Sequence, residues 1–205
     1  MSDTRVFVTS ALAAAVAIGA AFWWYSHETQ RPLSTEDGPG PNLVIEVAGE
    51  ANGTVVIDLM PDVAPKHVAQ ITELARIGAY NNVVFHRVID GFMAQTGDVE
   101  FGKDGGDLRR AGTGGSSYPD LPAEFSKEPF VAGVVGMARS ANPDSANSQF
   151  FIMFDAAPHL DGGYTVVGRV IEGMDVVNAI KRGEGPNGAV IGAPDRIVTA
   201  KVLPN

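Results

Sequence analysis

The first feature of the hydrophobic pattern is an unbroken apolar run near the N-terminus. From Val6 to Tyr25 no residue is charged and most are apolar. Roughly 20 such residues are enough to span a hydrocarbon core as a helix. The run follows Arg5 and ends in the aromatic cluster Phe22–Tyr25, of a kind that lies at membrane interfaces. The pattern therefore predicts a transmembrane helix within residues 1–25.

Two interpretations of this run stay open, an uncleaved signal anchor and a cleaved signal peptide. The run is long for a signal peptide, and its small-residue cleavage option at 19–21 lies inside the run, directly before bulky aromatics. Both features favour the anchor. Arg5 favours a cytoplasmic N-terminus, although Asp3 and Arg31 dilute the charge bias.

The next segment, residues 26–41, is polar and rich in backbone breakers. It contains Arg31-Pro32 and the alternation Gly38-Pro39-Gly40-Pro41, and it shows no periodicity. Such a composition is typical of a linker. We therefore expect a folded domain over residues 42–205.

Short β-branched runs begin at this boundary. Leu43–Val47 and Thr54–Leu59 flank a turn that contains Asn52-Gly53, which predicts an antiparallel hairpin. A helix follows near Pro65, because Val68, Ile71, Leu74 and Ala75 recur on one helical face before Gly78.

The rest of the chain continues with short elements. Further predicted strands are Val83–Val88, Phe92–Thr96, Gly133–Ala138, Phe150–Phe154, Tyr164–Val170 and Ile197–Leu203, and a second helix is predicted over Met174–Lys181. Many short strands with turns between them, and only two helices, favour a mainly β fold. We expect a closed antiparallel barrel whose open ends are covered by the two helices.

Composition narrows the possible chemistry. The net charge of −9 argues against a nucleic-acid partner. The absence of cysteine excludes disulfides and thiol nucleophiles, and four scattered histidines predict no metal site. His67 is expected at the surface on the polar side of the first helix, and His86 is expected to buttress its strand. The acids Asp58, Asp62 and Glu124 suggest no paired acid–base function.

The segment Phe85–Asp98 carries the most distinctive polar groups. Alternation along a strand would place Arg87 on one face with Phe85 and Ile89, and a turn would bring Met93 and Gln95 nearby. A guanidinium, an amide and apolar groups would then share one surface. On alternation alone, an ordinary hairpin with an exposed arginine is the favoured interpretation.

Several later motifs change that interpretation. In chain order the informative segments are Phe85-His86-Arg87-Val88, Gly91-Phe92-Met93, Gln95, Gly97-Asp98, Gly112-Thr113-Gly114-Gly115, Ser148-Gln149-Phe150-Phe151 and Leu160-Asp161-Gly162. Each is weak alone. Together, in this order, they resemble the cyclophilin signature, and the resemblance covers residues 42–203.

The resemblance implies an eight-stranded barrel with peptidyl-prolyl isomerase activity and no cofactor. It implies Arg87 and Gln95 as catalytic residues. The substrate-binding residues that it implies are Phe92, Met93, Ala138, Arg139, Gln149, Phe151, His159, Leu160 and Tyr164. The apolar members would form the proline pocket, and the backbone of Ala138 and Arg139 would bind the residue that precedes proline.

Physical chemistry is consistent with an arginine in this role. Rotation about a peptide bond has a barrier of about 18–20 kcal/mol, because C–N resonance is lost at the twisted state. The prolyl nitrogen then regains a lone pair, so a fixed donor aimed at it binds the transition state better than either ground state. Arginine is permanently charged and offers several fixed donors, and no nucleophile, base or metal is required.

Three positions depart from the common family pattern. His159 stands where many members carry Trp, Tyr164 where many carry His, and Arg139 where Asn is common. Loss of the indole should weaken binding of cyclosporin-type ligands, whereas Tyr164 keeps an aromatic wall and Arg139 keeps its backbone. The stretch Val99–Ala111 looks longer than usual and is expected to form an exposed loop beside the site.

The sequence leaves competing functions. The first is an isomerase that assists the folding of exported proteins, held at the plasma membrane with its domain in the periplasm or secreted there, monomeric, and acting on Xaa-Pro segments of unfolded chains. The second is a binding module for proline peptides without useful turnover. The presence of Arg87 favours the isomerase, since binding alone would not need it. A structural membrane protein would need more spanning segments.

Overall fold

The computed structural model describes residues 35–205. The predicted helix in residues 1–25 and residues 26–34 of the predicted linker lie outside the described residues. Within residues 35–205, no helix has the length and apolar character needed to cross a bilayer. The last part of the predicted linker lies along the domain: Pro41 O accepts a hydrogen bond from Leu59 N at 3.1 Å, and Arg169 donates to Glu36 O at 2.9 Å.

The described residues form nine strands and two α-helices. The strands are β1 (Asn42–Ala48), β2 (Gly53–Leu59), β3 (Val83–Val84), β4 (Arg87–Ile89), β5 (Met93–Thr96), β6 (Val134–Met137), β7 (Phe150–Met153), β8 (Val166–Glu172) and β9 (Arg196–Leu203), and the helices are α1 (Pro65–Arg76) and α2 (Met174–Ala179). The mainly β class and both predicted helices are confirmed, as is the β1–β2 hairpin, whose register pairs Ile45 with Val55.

All nine strands belong to one antiparallel sheet. Its order is β3-β9-β1-β2-β8-β6-β7-β5-β4, so β3 and β4 form the two edges although only Phe85 and His86 separate them in the chain. No ladder joins these edges within the described residues. The prediction of a closed eight-stranded barrel is therefore wrong in two respects: the sheet is curled but open, and it has nine strands.

The extra strand and the open side have the same cause. The predicted strand Val83–Val88 is interrupted at Phe85-His86, where the backbone bonds to the loop that precedes β9: Phe85 N donates to Asp195 O at 2.8 Å, and Val190 N donates to His86 O at 3.0 Å. These bonds occupy groups that a closing ladder would need. Phe85 consequently packs in the core, and it does not share a face with Arg87 as alternation predicted.

Both faces of the sheet are buried around β7, and one of these buried faces forms the floor of the candidate site. Phe150 and Ile152 belong to the main core inside the curled sheet, whereas the alternate residues Phe151 and Met153 belong to a second apolar cluster on the other face. That cluster also contains Met93, Phe130, Val134, Ala157, Leu160 and Val166. A strand with two buried faces reads as a continuous apolar run, as residues 150–153 do.

Helix α1 starts and ends where the sequence predicted. Pro65 occupies its first turn, and Gly78 adopts a positive φ of 70° just after the C-cap, the conformation that glycine tolerates best. The expectation for His67 is wrong. Its side chain is fully buried and contacts Glu124, with 2.7 Å between Nδ1 and Oε2, because the segment around Glu124 covers the side of the helix that the pattern assigned to solvent.

Candidate active site

A cavity of about 290 Å³ lies over the second apolar cluster. Its lining brings together residues from five separate parts of the chain: Arg87, Phe92, Met93, Gln95, Ala138, Arg139, Phe151, His159, Leu160 and Tyr164. These are all the predicted site residues except Gln149. Gln149 lines an adjoining cavity of about 260 Å³, which shares Gln95, Ala138 and Arg139 with the first. We call the two cavities the proline cavity and the second cavity.

The β4–β5 hairpin sets the two proposed catalytic side chains opposite each other. Arg87 pairs with Gln95 and Ile89 pairs with Met93 in the ladder, so Arg87 and Gln95 project from the same face. The guanidinium Nη1 donates to Gln95 Oε1 at 3.1 Å. The turn predicted at Asp90-Gly91 is confirmed, with Phe92 N donating to Ile89 O at 3.0 Å.

Arg87 is held from its other side by Asn187. Nε of Arg87 donates to the backbone carbonyl of Asn187 at 3.0 Å, and Nη2 donates to Asn187 Oδ1 at 3.2 Å. All these partners are neutral acceptors, so no carboxylate among the described residues forms an ion pair with this guanidinium. Partial burial lowers the pKa of Arg87, but arginine starts so high that it remains charged.

Asn187 is a site residue that the sequence pattern did not single out. It lies in a short turn at 186–188 with a left-handed backbone, φ 55° and ψ 30°. Asparagine is among the few non-glycine residues that adopt this region readily. The available signal was the pair Asn187-Gly188, which marks a turn. Nothing local could show that this turn, 100 residues after Arg87, would contact its side chain.

Gln95 and Gln149 extend the contacts into the second cavity. Gln95 Nε2 donates to Gln149 Oε1 at 2.9 Å, and Gln149 Nε2 donates to Gly114 O at 2.8 Å. The glycine loop, Gly112–Gly115, is held in turn by Asp98, whose carboxylate accepts hydrogen bonds from the amides of Gly112 and Gly114 at 2.7 and 3.0 Å. A continuous hydrogen-bonded chain therefore runs from Asn187 through Arg87 to the glycine loop.

Aromatic and aliphatic side chains form the floor of the proline cavity. Phe151 stacks on Phe130 with ring centroids 5.8 Å apart. Gly136 makes this packing possible, because a Cβ there would lie 2.6 Å from both rings. Met93 is 1% exposed and Leu160 7% exposed, so the floor is apolar and closely packed. Such a surface suits the ring of a proline.

The three residues that depart from the family pattern form the opposite wall. His159 lies against Phe92 with ring centroids 5.6 Å apart, and Tyr164 meets Phe151 edge-on at 6.0 Å. The guanidinium of Arg139 lies 4.3 Å from the centroid of the Tyr164 ring. An aromatic wall is therefore present, but it is built from a smaller ring at 159 and an arginine–tyrosine stack.

The backbone predicted to bind the residue before proline is only partly free. Ala138 N already donates to Gln149 O at 2.9 Å. Among the described residues, no backbone carbonyl accepts a hydrogen bond from the amide of Arg139, so this peptide unit is the better candidate for pairing with a substrate. Of the two residues predicted to bind the residue before proline through their backbone, Arg139 is therefore the one whose amide is free of backbone partners within residues 35–205.

The remaining predictions concern the loop at residues 99–111, His86 and metal binding. The stretch Val99–Ala111 packs largely against residues 79–84, where Lys103 donates to the carbonyls of Ala79 and Asn81 at 2.5 and 2.8 Å. Its end, Ala111, lines a cavity together with Arg87 and Gln95. His86 is 9% exposed, and burial lowers its pKa to about 4, so it is neutral at pH 7. Among residues 35–205 no group of three or more His, Asp or Glu side chains could hold a metal ion.

Comparisons with known proteins agree on one family. Residues 43–202 match the family described as "Cyclophilin type peptidyl-prolyl cis-trans isomerase/CLD". A "Probable peptidyl-prolyl cis-trans isomerase" of Brucella suis is 58% identical over 199 residues, which cover 96% of each chain. A "Peptidyl-prolyl cis-trans isomerase" of Synechococcus elongatus is 35% identical over 153 residues, covering 74% of this chain and 90% of the relative.

A solved structure supports the same assignment of fold. The cyclophilin AquaCyp293 from Hirschia baltica superposes with a TM-score of 0.64 and 29% sequence identity, covering 80% of this chain and 74% of the other.

Proposed function

The chain belongs to the cyclophilin-type peptidyl-prolyl cis–trans isomerases, and from that premise we propose that Arg87 carries the catalysis. The observation that supports this is the geometry of its guanidinium, which is fixed by neutral acceptors on two sides and lines the proline cavity. A fixed cation with unused donors is suited to a nitrogen that accepts a hydrogen bond only when the peptide bond is twisted.

A count of donors shows which atoms are available. Arginine has five N–H groups. Nε is used by the Asn187 carbonyl, one Nη1 hydrogen by Gln95 and one Nη2 hydrogen by the Asn187 side chain. Among the described residues, the only other hydrogen-bonding contact of this guanidinium is the long one from Nη1 to the sulfur of Met93, at 3.8 Å. One Nη2 hydrogen is therefore unused, and the second Nη1 hydrogen has only the weak sulfur acceptor, so both can turn to the prolyl nitrogen.

The rest of the cavity would hold the two sides of the rotating bond. The apolar floor formed by Met93, Phe151 and Leu160 binds the proline ring, while the carbonyl side turns next to Gln95 and the Arg139 backbone. Since no covalent bond is broken, the site needs to provide only orientation, exclusion of water and a donor for the developing lone pair.

The test is the substitution Arg87→Ala. We expect kcat/KM in a proline-isomerisation assay to fall by about 100-fold or more, as when a preorganised donor is removed from a transition state. Arg87→Lys is the matched control, since it keeps the charge and loses the fixed fork. Unchanged turnover in Arg87→Ala, with the fold intact by circular dichroism, would contradict the mechanism. Binding of proline peptides by the wild-type chain without turnover would favour the binding-module alternative.

We further propose that the isomerase is held at the plasma membrane by the apolar run in residues 1–25, with residues 42–205 in the periplasm as a monomer. The run has the length and flanking aromatics of a spanning helix. The Brucella suis relative is similar over 96% of this chain, so the similarity extends beyond the isomerase domain into the preceding segment. Its substrates would be Xaa-Pro segments of exported, partly folded chains.

Cell fractionation and N-terminal sequencing test this location. An anchored protein would stay in the membrane fraction after a high-salt wash and would keep its N-terminus, and protease added to spheroplasts would digest the domain. Recovery of a soluble form that begins near Phe22 would show cleavage instead, and protection from the protease would place the domain in the cytoplasm.

A further inference from the structure

Arg139 lies at the junction of the two cavities. It lines both of them, together with Gln95 and Ala138. If the proline ring occupies the proline cavity and the residue before it pairs with the Arg139 backbone, the residues that precede proline must pass this junction into the second cavity. The guanidinium of Arg139 is therefore a cation on the path of the incoming peptide.

The side chain of Arg139 is fixed by uncharged partners. Nε and Nη2 donate to Gly163 O at 3.3 and 2.8 Å, Nη1 donates to Ser140 O at 2.9 Å, and the group lies against the Tyr164 ring. No carboxylate in residues 35–205 forms an ion pair with it. Two of its five N–H groups remain unused.

The second cavity offers Arg139 no competing charge. Its other lining residues are all uncharged: Gln95, Gly112, Thr113, Gly114, Ala138, Ser140, Ser145, Asn147, Ser148 and Gln149. The nearby carboxylates already have partners. Asp98 accepts from four backbone amides behind the glycine loop, and Asp144 accepts from Ala123 N at 2.8 Å. Among the residues that line this cavity, Arg139 is therefore the one that carries a charge.

From this geometry we propose that Arg139 is a specificity-determining residue that selects an acidic side chain, Asp or Glu, in the residues that precede proline. The proposal rests on the proposed function of the proline cavity. A carboxylate can accept from the two unused N–H groups, and charge-assisted hydrogen bonds to arginine are stronger than neutral ones. The net charge of −9 opposes acidic peptides at long range, but the Debye length of about 8 Å confines that effect at physiological salt.

The test measures kcat/KM of the full chain on three peptides, Xaa-Ala-Pro-Phe with Glu, Gln or Lys as Xaa. We expect Glu to exceed Gln by about threefold to tenfold at low salt and Lys to fall below Gln, with the Glu-to-Gln ratio shrinking as salt rises. Turnover of the Gln peptide measures the basal isomerase activity. Equal values for Glu and Gln, with the Gln peptide turned over normally, would overturn the selectivity and leave the proposed function standing.

Variants identify the responsible side chain. In Arg139→Gln the Glu-to-Gln ratio should fall to about one, in Arg139→Glu it should invert, and in Arg139→Lys it should largely persist. Each ratio is normalised to the Gln peptide in the same variant, so a change in fold or basal turnover does not affect the comparison. Persistence of the Glu preference in Arg139→Gln would overturn the assignment, as would an equal preference for Glu placed after proline.

Discussion

Two clusters of polar side chains, one at the cavities and one at the start of α1, use their hydrogen-bonding groups in different ways. The groove network consists of Arg87, Gln95, Gln149 and Asn187, where a cation meets only neutral acceptors and keeps one Nη2 hydrogen unused and one Nη1 hydrogen on the weak sulfur acceptor of Met93. The cap pair consists of His67 and Glu124, where a partly buried carboxylate serves as acceptor for the fold: Oε2 accepts from the His67 ring at 2.7 Å, and the two oxygens accept from the amides of Lys66 and His67 at 3.1–3.2 Å.

The two clusters differ in whether their hydrogen-bonding groups are accessible to a ligand. In the cap pair, Glu124 satisfies backbone amides of the first turn of α1, which have no partner within the helix. Burial alone would raise its pKa, but the bonds from the His67 ring and from the two amides outweigh that effect and hold the pKa below its usual value. The cap pair therefore stabilises the start of α1 and lines neither cavity, whereas Arg87, Gln95 and Gln149 of the groove network line the two cavities.

Glu124→Ala should have the largest effect on stability. It would leave two helix amides and the buried His67 ring without their acceptor, so we expect the free energy of unfolding to fall by about 2–4 kcal/mol. Urea denaturation of residues 35–205 measures this loss, and Glu124→Gln, which keeps an acceptor without the charge, should lose less. The isomerase activity per folded molecule should not change. A large fall in kcat with little loss of stability would show that the cap pair belongs to the active site.

His86 is a third polar side chain that can be compared with the two clusters. It precedes Arg87 in the chain, but it is buried, and neither ring nitrogen has a hydrogen-bond partner of ordinary geometry among the described residues. Its pKa is about 4 in the folded protein because of burial, against about 6.5 for an exposed histidine. Between these values the unfolded chain binds more protons, so stability falls as the pH drops from 6.5 to 4.

The expected loss from His86 over that range is about 1–3 kcal/mol. Urea midpoints at pH 7, 6, 5 and 4.5 would measure it, and His86→Leu should flatten the slope whatever its absolute stability. The lowered pKa of Glu124 adds a separate loss at lower pH, since its contribution disappears as the pH falls through its folded-state pKa. Identical slopes in the wild type and in His86→Leu would mean that His86 is not the titrating group.

The comparison also shows how far the sequence predicts this molecule. The residues around the proline cavity could be named because their motifs are local and lie in a recognised order. His67 and Asn187 could not be placed, since each depends on a partner far away in the chain, 57 residues for Glu124 and 100 for Arg87. The open sheet was missed for the same reason, because the bonds at Phe85 and His86 involve residues 190 and 195.

Asn187→Gly gives the smallest and most specific effect, because it removes one acceptor from the groove network and little else. Glycine tolerates the φ of 55° and keeps the carbonyl that binds Arg87 Nε. Only the bond from Nη2 to Oδ1 is lost, so the guanidinium becomes less fixed without losing its charge. We expect kcat to fall by about threefold to tenfold with KM nearly unchanged.

Two control variants separate positioning from stability at this turn. Asn187→Ala keeps a Cβ in the left-handed region but loses the short polar side chain that lets asparagine tolerate it, and it should lose up to about 1 kcal/mol of stability in addition to the kcat effect. Asn187→Asp keeps an acceptor and should retain most of the turnover. If Asn187→Gly lowered stability but left kcat unchanged, Asn187 would act only as a turn residue. Gln95 and the Asn187 backbone would then be enough to hold Arg87. The groove network would differ from the cap pair only in the donor hydrogens that Arg87 keeps for a ligand.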